Sequence, residues 1–161
     1  MNSGKVLEAM TQYFGNDVKR VNHFIKVFGF AKIIGEGENL SERELEILEA
    51  AAAVHDIGIK MSEQKYNSSA GKYQEKEGPA EAEKLLRKLG YEDDFISEVC
   101  YIVAHHHTYT NIDTLPYQIL VEADFIVNLF EDNAGITAIK SAYEKIFVTD
   151  TGKKIFANLY L

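Results

Sequence analysis

Residues 46–60 read EILEAAAAVHDIGIK, and the interpretation of the whole chain starts from this stretch. A run this apolar is expected to be buried, yet it carries His55 and Asp56 side by side near its end. Aspartate is almost never fully buried unless another group pairs with it. The stretch therefore raises the question of which partner holds the Asp56 carboxylate inside a core.

The sequence on either side of this stretch contains helix boundaries. Ser41 is followed three residues later by Glu44, the reciprocal capping box that satisfies free amides at a helix start. We predict that Gly58 ends the same helix in a left-handed conformation. Pro79 and Pro116 are each predicted to stand where a later helix begins, because proline is favoured in the first helical turn.

Apolar residues recur at helical spacing, and no segment shows the sustained alternation that is typical of a strand. The predicted fold class is all-α, a single-domain helical bundle of about seven or eight helices. Residues 59–76 are predicted to form a loop, which is long for a compact domain and of a kind that often has a function. The predicted helices lie near residues 4–14, 17–34, 42–57, 78–89, 93–107, 115–131, 134–147 and 151–158.

Composition excludes several classes of protein. A chain of 161 residues with 46% hydrophobic and 26% charged residues is typical of one soluble globular domain. The net charge of −8 disfavours an extended nucleic-acid surface, because such surfaces need clustered cations. The single cysteine, Cys100, excludes a disulfide framework and a cysteine metal site. No apolar run reaches the ~18 residues of a membrane span, and the start of the chain lacks a signal peptide's apolar core, so we expect a cytoplasmic protein with no membrane partner.

Five side chains that are able to bind a metal ion fall on the apolar faces of four predicted helices. Each lies three, four or seven residues along the chain from apolar residues, and this spacing places them on the same face of a helix. Taken singly, each has an ordinary alternative, since a core histidine usually finds a hydrogen bond and Asp124 is also suited to capping a helix or pairing with Arg20. The five are His23, His55, Asp56, His106 and Asp124, and His105 lies at the edge of one face.

Taken together, two buried carboxylates and several imidazoles need cationic partners, because an unpaired buried charge is costly even after relaxation. Arginines are few and no lysine lies on these faces, so a divalent cation is the partner that we predict. Imidazole nitrogen with carboxylate oxygen suits iron, manganese, cobalt, nickel or zinc, and suits calcium poorly. The hypothesis is that His23, His55, Asp56 and Asp124 bind one such ion.

The order of these residues resembles that of the HD-domain metal-dependent phosphohydrolase superfamily, whose fold is an all-helical bundle. RVNHF, AAAVHDIG and LVEADFIVNL resemble its opening, central and closing motifs, within residues 18–131. The resemblance implies one HD-type domain over residues 1–161, and residues 134–158 are expected to be packing helices or a dimer face, in a monomer or a homodimer. It also implies hydrolysis of a phosphoester or phosphoanhydride of a nucleotide or related small phosphorylated metabolite by metal-activated water, with Asp56 in a catalytic role.

IVAHHHTY resembles the helix that adds ligands for a second metal ion in the dinuclear branches of this superfamily. The resemblance implies that His105 and His106 bind this ion, and that Glu77 in KEGPAEA stands where those branches have another histidine. Glu77 has an alternative role as an acid at a helix start, which the helix dipole favours. We expect His107 to be exposed and assign it no role.

The predicted loop is rich in lysine, which indicates either a site for a small anion or a solvated loop. Lys60 is our first choice for a phosphate contact and a catalytic role, because it follows the His-Asp pair closely, and Lys72 is the second. Arg20 and Asn128 are also predicted to bind substrate, although Arg20 is alternatively a support for Asp124. The lysines of the loop are Lys60, Lys65, Lys72 and Lys76.

Two other functions compete with hydrolysis. One is a non-catalytic module that binds metal and nucleotide as a sensor, and the other is a structural protein whose histidines only fill a core. Among enzymes, a dinucleoside polyphosphate hydrolase is a further alternative. The symmetrical diadenosine-tetraphosphate hydrolases are similar to this chain in size, and they use a pair of metal ions as predicted here. Metal content and phosphate release distinguish these possibilities.

Overall fold

The computed structural model describes residues 2–161, and these residues form nine helices and no strand. The all-α fold class is thereby confirmed, with nine helices in place of the predicted seven or eight. The helices are α1 (Ser3–Phe14), α2 (Val18–Gly37), α3 (Glu42–Val54), α4 (Gly58–Tyr66), α5 (Gly71–Lys88), α6 (Asp93–His105), α7 (Leu115–Glu131), α8 (Ile136–Lys145) and α9 (Asp150–Tyr160).

Helix α7 is surrounded by other helices and contacts α2, α3, α8 and α9. Its sequence is apolar on nearly all sides, as expected for a helix enclosed by protein. Pro116 stands at its start, as predicted, and the Thr114 side chain caps its first turn. Polar side chains in the middle of α7, among them Asp124, are therefore buried and must find partners inside the fold.

Helix α3 begins at the predicted capping box. The Ser41 hydroxyl accepts a hydrogen bond from the Glu44 amide, and the Glu44 carboxylate accepts one from the Ser41 amide. From Ile47 to Val54 the helix is buried, and it packs against α1, α2, α6 and α7. The helix ends at Val54, and residues 55–57 form a turn that leads directly into α4.

Gly58 is needed for close packing and does not form a left-handed helix end. It is the first residue of α4 and its φ is not positive, so the predicted role is wrong. A Cβ at Gly58 would lie 2.7 Å from the Gln74 carbonyl oxygen and 2.8 Å from the Gly78 nitrogen, both in the backbone of α5. A Cβ at Gly78 would lie 2.8 Å from Val103 of α6. The two glycines therefore let α5 lie against both α4 and α6.

The prediction of a loop over residues 59–76 is wrong. Helix α4 covers Gly58–Tyr66 and α5 already begins at Gly71. Asn67 ends α4 in the left-handed conformation with φ 52°, a place that glycine or asparagine often takes. Pro79 lies inside α5 and not at a helix start, so that prediction is also wrong. The polar composition of this segment reflects the exposed faces of two helices.

Helices α8 and α9 follow α7 in the chain and pack back onto it. Phe156 of α9 is fully buried, and its ring lies 4.7 Å from that of Phe147 and 5.4 Å from that of Tyr143. Among residues 2–161, every helix is too short or too polar to cross a lipid bilayer.

Candidate metal centre

Four parts of the chain bring imidazoles and carboxylates together in the interior. Helix α2 supplies His23, the turn after α3 supplies His55 and Asp56, the residue after α6 is His106, and α7 supplies Asp124. The exposed fraction is 0% for His55, 1% for His106, 5% for Asp124 and 8% for His23. These five residues are called the His/Asp cluster below.

The Nε2 atoms of two histidines face the oxygens of both aspartates. His23 Nε2 lies 3.1 Å from Asp124 Oδ1, 3.2 Å from Asp56 Oδ2 and 3.3 Å from His55 Nε2. His55 Nε2 lies 3.4 Å from Asp56 Oδ2 and 3.5 Å from Asp124 Oδ1. Ligand atoms bound at about 2.1 Å around a single ion lie roughly 3–4 Å apart. The spacing of these atoms therefore matches one coordination sphere.

The other ring nitrogen of each histidine is already engaged. A carbonyl oxygen only accepts hydrogen bonds, so an Nδ1 that contacts one must carry the proton, and the Nε2 of the neutral ring then presents a lone pair. Such outer partners fix the tautomer and the orientation of metal-binding histidines. The Nδ1 contacts are His55 to Ala52 O (2.7 Å), His106 to Val103 O (2.7 Å) and His23 to Glu131 Oε1 (2.6 Å).

His106 Nε2 is the clearest sign of a missing partner. It is buried and has no hydrogen-bond partner among residues 2–161, and it lies 3.6 Å from Asp56 Oδ1. Because a buried polar atom is almost always satisfied, this atom needs an explanation. A lone pair that faces carboxylate oxygens is stabilised by a cation between them. The donor set of the His/Asp cluster therefore fits a divalent metal ion.

Without such an ion, protons provide the positive charge. Burial by itself lowers the pKa of His23, but hydrogen bonds to Asp124 and Asp56 overcome it and raise the pKa to about 10. Burial opposes the charged form of His55 as well, yet the Asp56 charge and a hydrogen bond to Asp124 raise its pKa. Burial opposes the charged form of Asp56 too, but the His55 charge and the His23 ring hold the pKa of Asp56 well below its usual range. Metal binding to such a cluster displaces protons.

Glu131 supports His23 from the last position of α7. Its Oε1 lies 2.6 Å from His23 Nδ1, and its Oε2 lies 2.6 Å from Lys26 Nζ. A carboxylate at the outer nitrogen orients an imidazole and makes it a better ligand. The sequence interpretation missed Glu131, although it stands seven residues after Asp124 and hence on the same face of the helix.

A second group shares Asp56. One ligand atom each from Asp56, His106 and His107 lie within 4.8 Å of one another. His107 is half-buried, and its Nε2 contacts Gln74 Oε1 at 3.1 Å, so the prediction that it is exposed is wrong. Burial and the neighbouring charge of His106 lower the pKa of His107 to about 4. The sequence interpretation missed Gln74, which is buried, because it assigned that residue to a loop.

The structure does not bring Glu77 and His105 to this group. The Glu77 carboxylate, inside α5 and away from its start, accepts from Lys65 Nζ at 2.6 Å and from the Tyr66 hydroxyl at 2.8 Å. The His105 ring packs against the ring of Tyr101, with 4.4 Å between centroids, and its Nδ1 contacts the Tyr101 carbonyl. The Glu77 and His105 side chains, both predicted ligands of a second ion, thus have other partners in this structure. The helix-start role of Glu77 is wrong, because α5 begins at Gly71.

A cleft of about 550 Å³ opens over the His/Asp cluster. Arg20 and Asn128, two predicted substrate contacts, line it. Arg20 does not support Asp124, because its guanidinium binds Asp17 at 3.2 Å and Glu63 at 2.6 Å.

The other two predicted phosphate contacts lie outside the cleft. Lys60 Nζ donates to the Tyr13 carbonyl at 3.3 Å, and its ammonium stands 5.0 Å from the centre of the Tyr13 ring. Lys72 Nζ stands 4.8 Å from the centre of the Tyr73 ring. The predicted substrate contacts of both lysines, and the catalytic role of Lys60, are absent from this geometry because α4 and α5 direct these side chains elsewhere.

Comparison with known proteins identifies one family. The family model described as HD domain matches residues 20–129, which is more than half of the chain. This range includes every residue of the His/Asp cluster. No curated protein and no solved structure matches the chain.

Proposed function

Because the chain belongs to the HD domain family, we propose that it is a metal-dependent phosphohydrolase. The proposed reaction is hydrolysis of a phosphoester or phosphoanhydride bond in a nucleotide or a related small phosphorylated metabolite. The observation that carries the proposal is the buried His106 Nε2, which has no partner among the described residues and faces a carboxylate.

The residues that would hold the ion are His23, His55, Asp56 and Asp124. When bound, a divalent ion neutralises phosphoryl oxygens and lowers the pKa of water so that hydroxide is available near neutral pH. The chain itself holds the two imidazoles with their Nε2 atoms inward through the Ala52 carbonyl and Glu131. The Asn128 amide lines the cleft one helical turn after Asp124, which supports a role in hydrogen-bonding the substrate.

A second ion is part of the proposal, with a ligand set that differs from the predicted one. Asp56, His106 and His107 would hold it, and Asp56 would belong to both sites. Gln74 orients His107 by contacting its Nε2. Phosphoryl transfer depends mainly on charge neutralisation and alignment, and a pair of bound ions would supply both.

Elemental analysis of untreated protein, combined with a phosphate-release screen in manganese, cobalt and iron, tests this function. We expect stoichiometric metal and hydrolysis of at least one phosphorylated compound, with His55→Ala abolishing both. His105→Ala is the matched control, because it removes a nearby imidazole that lies outside the cluster, and it is expected to keep both. Absence of metal after supplementation, or equal loss in the two variants, would contradict the proposal.

A further inference from the structure

The wall of the cleft carries more negative than positive charge. Beyond the two aspartates of the His/Asp cluster, its lining includes Asp17, Glu131 and Asp132. Its cationic side chains are Lys19 and Arg20. Proteins that bind several phosphate groups usually surround them with arginine and lysine, since cations in a partly dehydrated site interact strongly with phosphate. The composition of this wall does not match that pattern.

The charge of Arg20 is already balanced. One guanidinium nitrogen lies 2.6 Å from Glu63 Oε1 and 3.2 Å from Asp17 Oδ2. Two carboxylates therefore compete with any incoming phosphate for this side chain. Lys19 remains the one cation of the lining with no ion pair among residues 2–161.

The lysines of α4 and α5 do not line the cleft. Each ammonium group is held on the outside of the two helices by a carboxylate, a carbonyl oxygen or an aromatic ring. The contacts are Lys60 with the Tyr13 carbonyl (3.3 Å), Lys65 with Glu77 (2.6 Å), Lys72 over the Tyr73 ring (4.8 Å) and Lys76 over the Tyr66 ring (5.5 Å).

We propose that the substrate is a phosphate monoester with a single phosphoryl group on an uncharged polar molecule. This inference rests on the proposed function, because the metal site would receive the phosphoryl group. A monoester carries between about −1.5 and −2 charge at neutral pH. This is close to the net charge of about +2 that would remain when two divalent ions bind the two carboxylates of Asp56 and Asp124.

Further phosphates would extend along a wall on which Asp132 has no ion pair among residues 2–161, while Asp17 and Glu131 already bind Arg20 and Lys26. Among the same residues, the one unpaired cation of this wall is Lys19. Ser69 and Asn128 on the same wall suit hydroxyl or amide groups of an uncharged remainder.

A series of compounds that differ only in phosphate number tests this inference. The probes are adenosine mono-, di- and triphosphate, together with orthophosphate and tripolyphosphate, in excess Mn²⁺ so that polyphosphates do not remove metal from the protein. Phosphate release gives kcat/KM for the nucleotides, and calorimetry gives Kd for all five. We expect the monophosphate to exceed the triphosphate by about tenfold in kcat/KM, and orthophosphate to bind at least as tightly as tripolyphosphate.

A charge reversal on the wall sharpens the test. Asp132→Lys is expected to reduce the preference for one phosphate over three by at least about threefold, since it places a cation on the rim. Glu144→Lys on α8 is the matched control, because it makes the same change in net charge at a residue outside the cleft lining. It is expected to leave the preference unchanged.

The outcomes separate the two proposals. Tighter binding and faster cleavage of the triphosphate would overturn the single-phosphate inference and leave the phosphohydrolase proposal intact. If no compound is cleaved, the phosphohydrolase proposal fails for this series, and the Kd values still decide the inference about phosphate number. An equal response to Asp132→Lys and Glu144→Lys would show that the wall charge does not set the preference, and would contradict the inference.

Discussion

Two buried carboxylates stand two residues apart on α7, and their surroundings differ in kind. Glu122 accepts hydrogen bonds only from neutral donors, which are the Gln118 amide at 2.7 Å, the backbone amides of Val148 and Thr149 at 3.0 and 3.1 Å, and the Thr149 hydroxyl at 2.6 Å. Asp124 faces imidazole nitrogens that are themselves suited to accept. The chain thus satisfies Glu122 by itself, whereas Asp124 needs a cation.

The groups around a buried carboxylate distinguish a structural role from that of a candidate metal ligand in this small bundle. Glu122 lies on the side of α7 that meets the start of α9, where it joins the segment before α9 to the core. A buried carboxylate with a full set of neutral donors stabilises the fold. A buried carboxylate whose neighbouring imidazoles point the lone pairs of their Nε2 atoms toward it indicates a metal-ligand site. Exposure does not distinguish them, because both are buried.

The largest expected effect is on metal binding by Asp124→Asn. We expect metal affinity to fall by at least about 100-fold, because the variant removes a charged ligand. Chelator should lower the Tm of the wild type and leave the Tm of this variant nearly unchanged, since metal bound only to the folded state stabilises it. Calorimetry and thermal unfolding measure both. A variant that retains wild-type affinity would place Asp124 outside the metal site.

The next effect in size is on stability, from Glu122→Gln. The oxygen of the new amide can accept from the three N–H groups that bind Oε2, but its NH2 would face the Thr149 hydroxyl, and the charged acceptor is lost. We therefore expect a loss of about 2 kcal/mol in the free energy of unfolding. Urea unfolding with and without chelator measures it. The decrease should be the same in both conditions, and metal affinity should equal that of the wild type. A smaller chelator effect in this variant would mean that the two carboxylates are coupled.

The smallest effect is on the support of His23. Glu131→Ala is expected to weaken metal affinity by about tenfold, because His23 loses the acceptor for its Nδ1 proton. Glu131→Gln keeps an acceptor oxygen and should lose less. Asp132→Asn is the matched control, since it removes a neighbouring charge without touching His23, and its affinity should stay within about twofold of the wild type. If glutamine and alanine lose equally, the charge of Glu131 matters and its orienting role does not.

The sequence was sufficient to predict which helices meet at the site, because helical period determines which residues share an apolar face. His23, His55, Asp56 and Asp124 were selected in this way, and the structure brings all four together. Glu131 and Gln74 were missed because their role depends on which neighbour a long side chain reaches. Spacing along the chain carries no such information.

For residues 59–76 the sequence pattern predicts the wrong secondary structure. Their high polarity suggested a loop, whereas most of them belong to two helices whose polar faces meet solvent. Lys60 and Lys72 belong to these helices, and their ammonium groups lie over the rings of Tyr13 and Tyr73 outside the cleft. The loop prediction hid His107, because its contact with Gln74 depends on α5 beginning at Gly71. The wrong loop prediction therefore accounts for the missed contact between Gln74 and His107 and for the predicted helix start at Glu77.

The close contact between Gly58 and Gly78 limits which substitutions this site can accept during evolution. A side chain at Gly58 would meet the α5 backbone and push α5 away from the His-Asp turn, and one at Gly78 would meet Val103 and push α5 away from α6. Either change would displace Gln74 relative to His107. Substrate specificity is therefore easier to change through residues at the edge of the cleft, such as Asp132, than through the backbone contact beneath the His/Asp cluster. We therefore expect Gly58 and Gly78 to stay fixed while the residues on the surrounding surface vary.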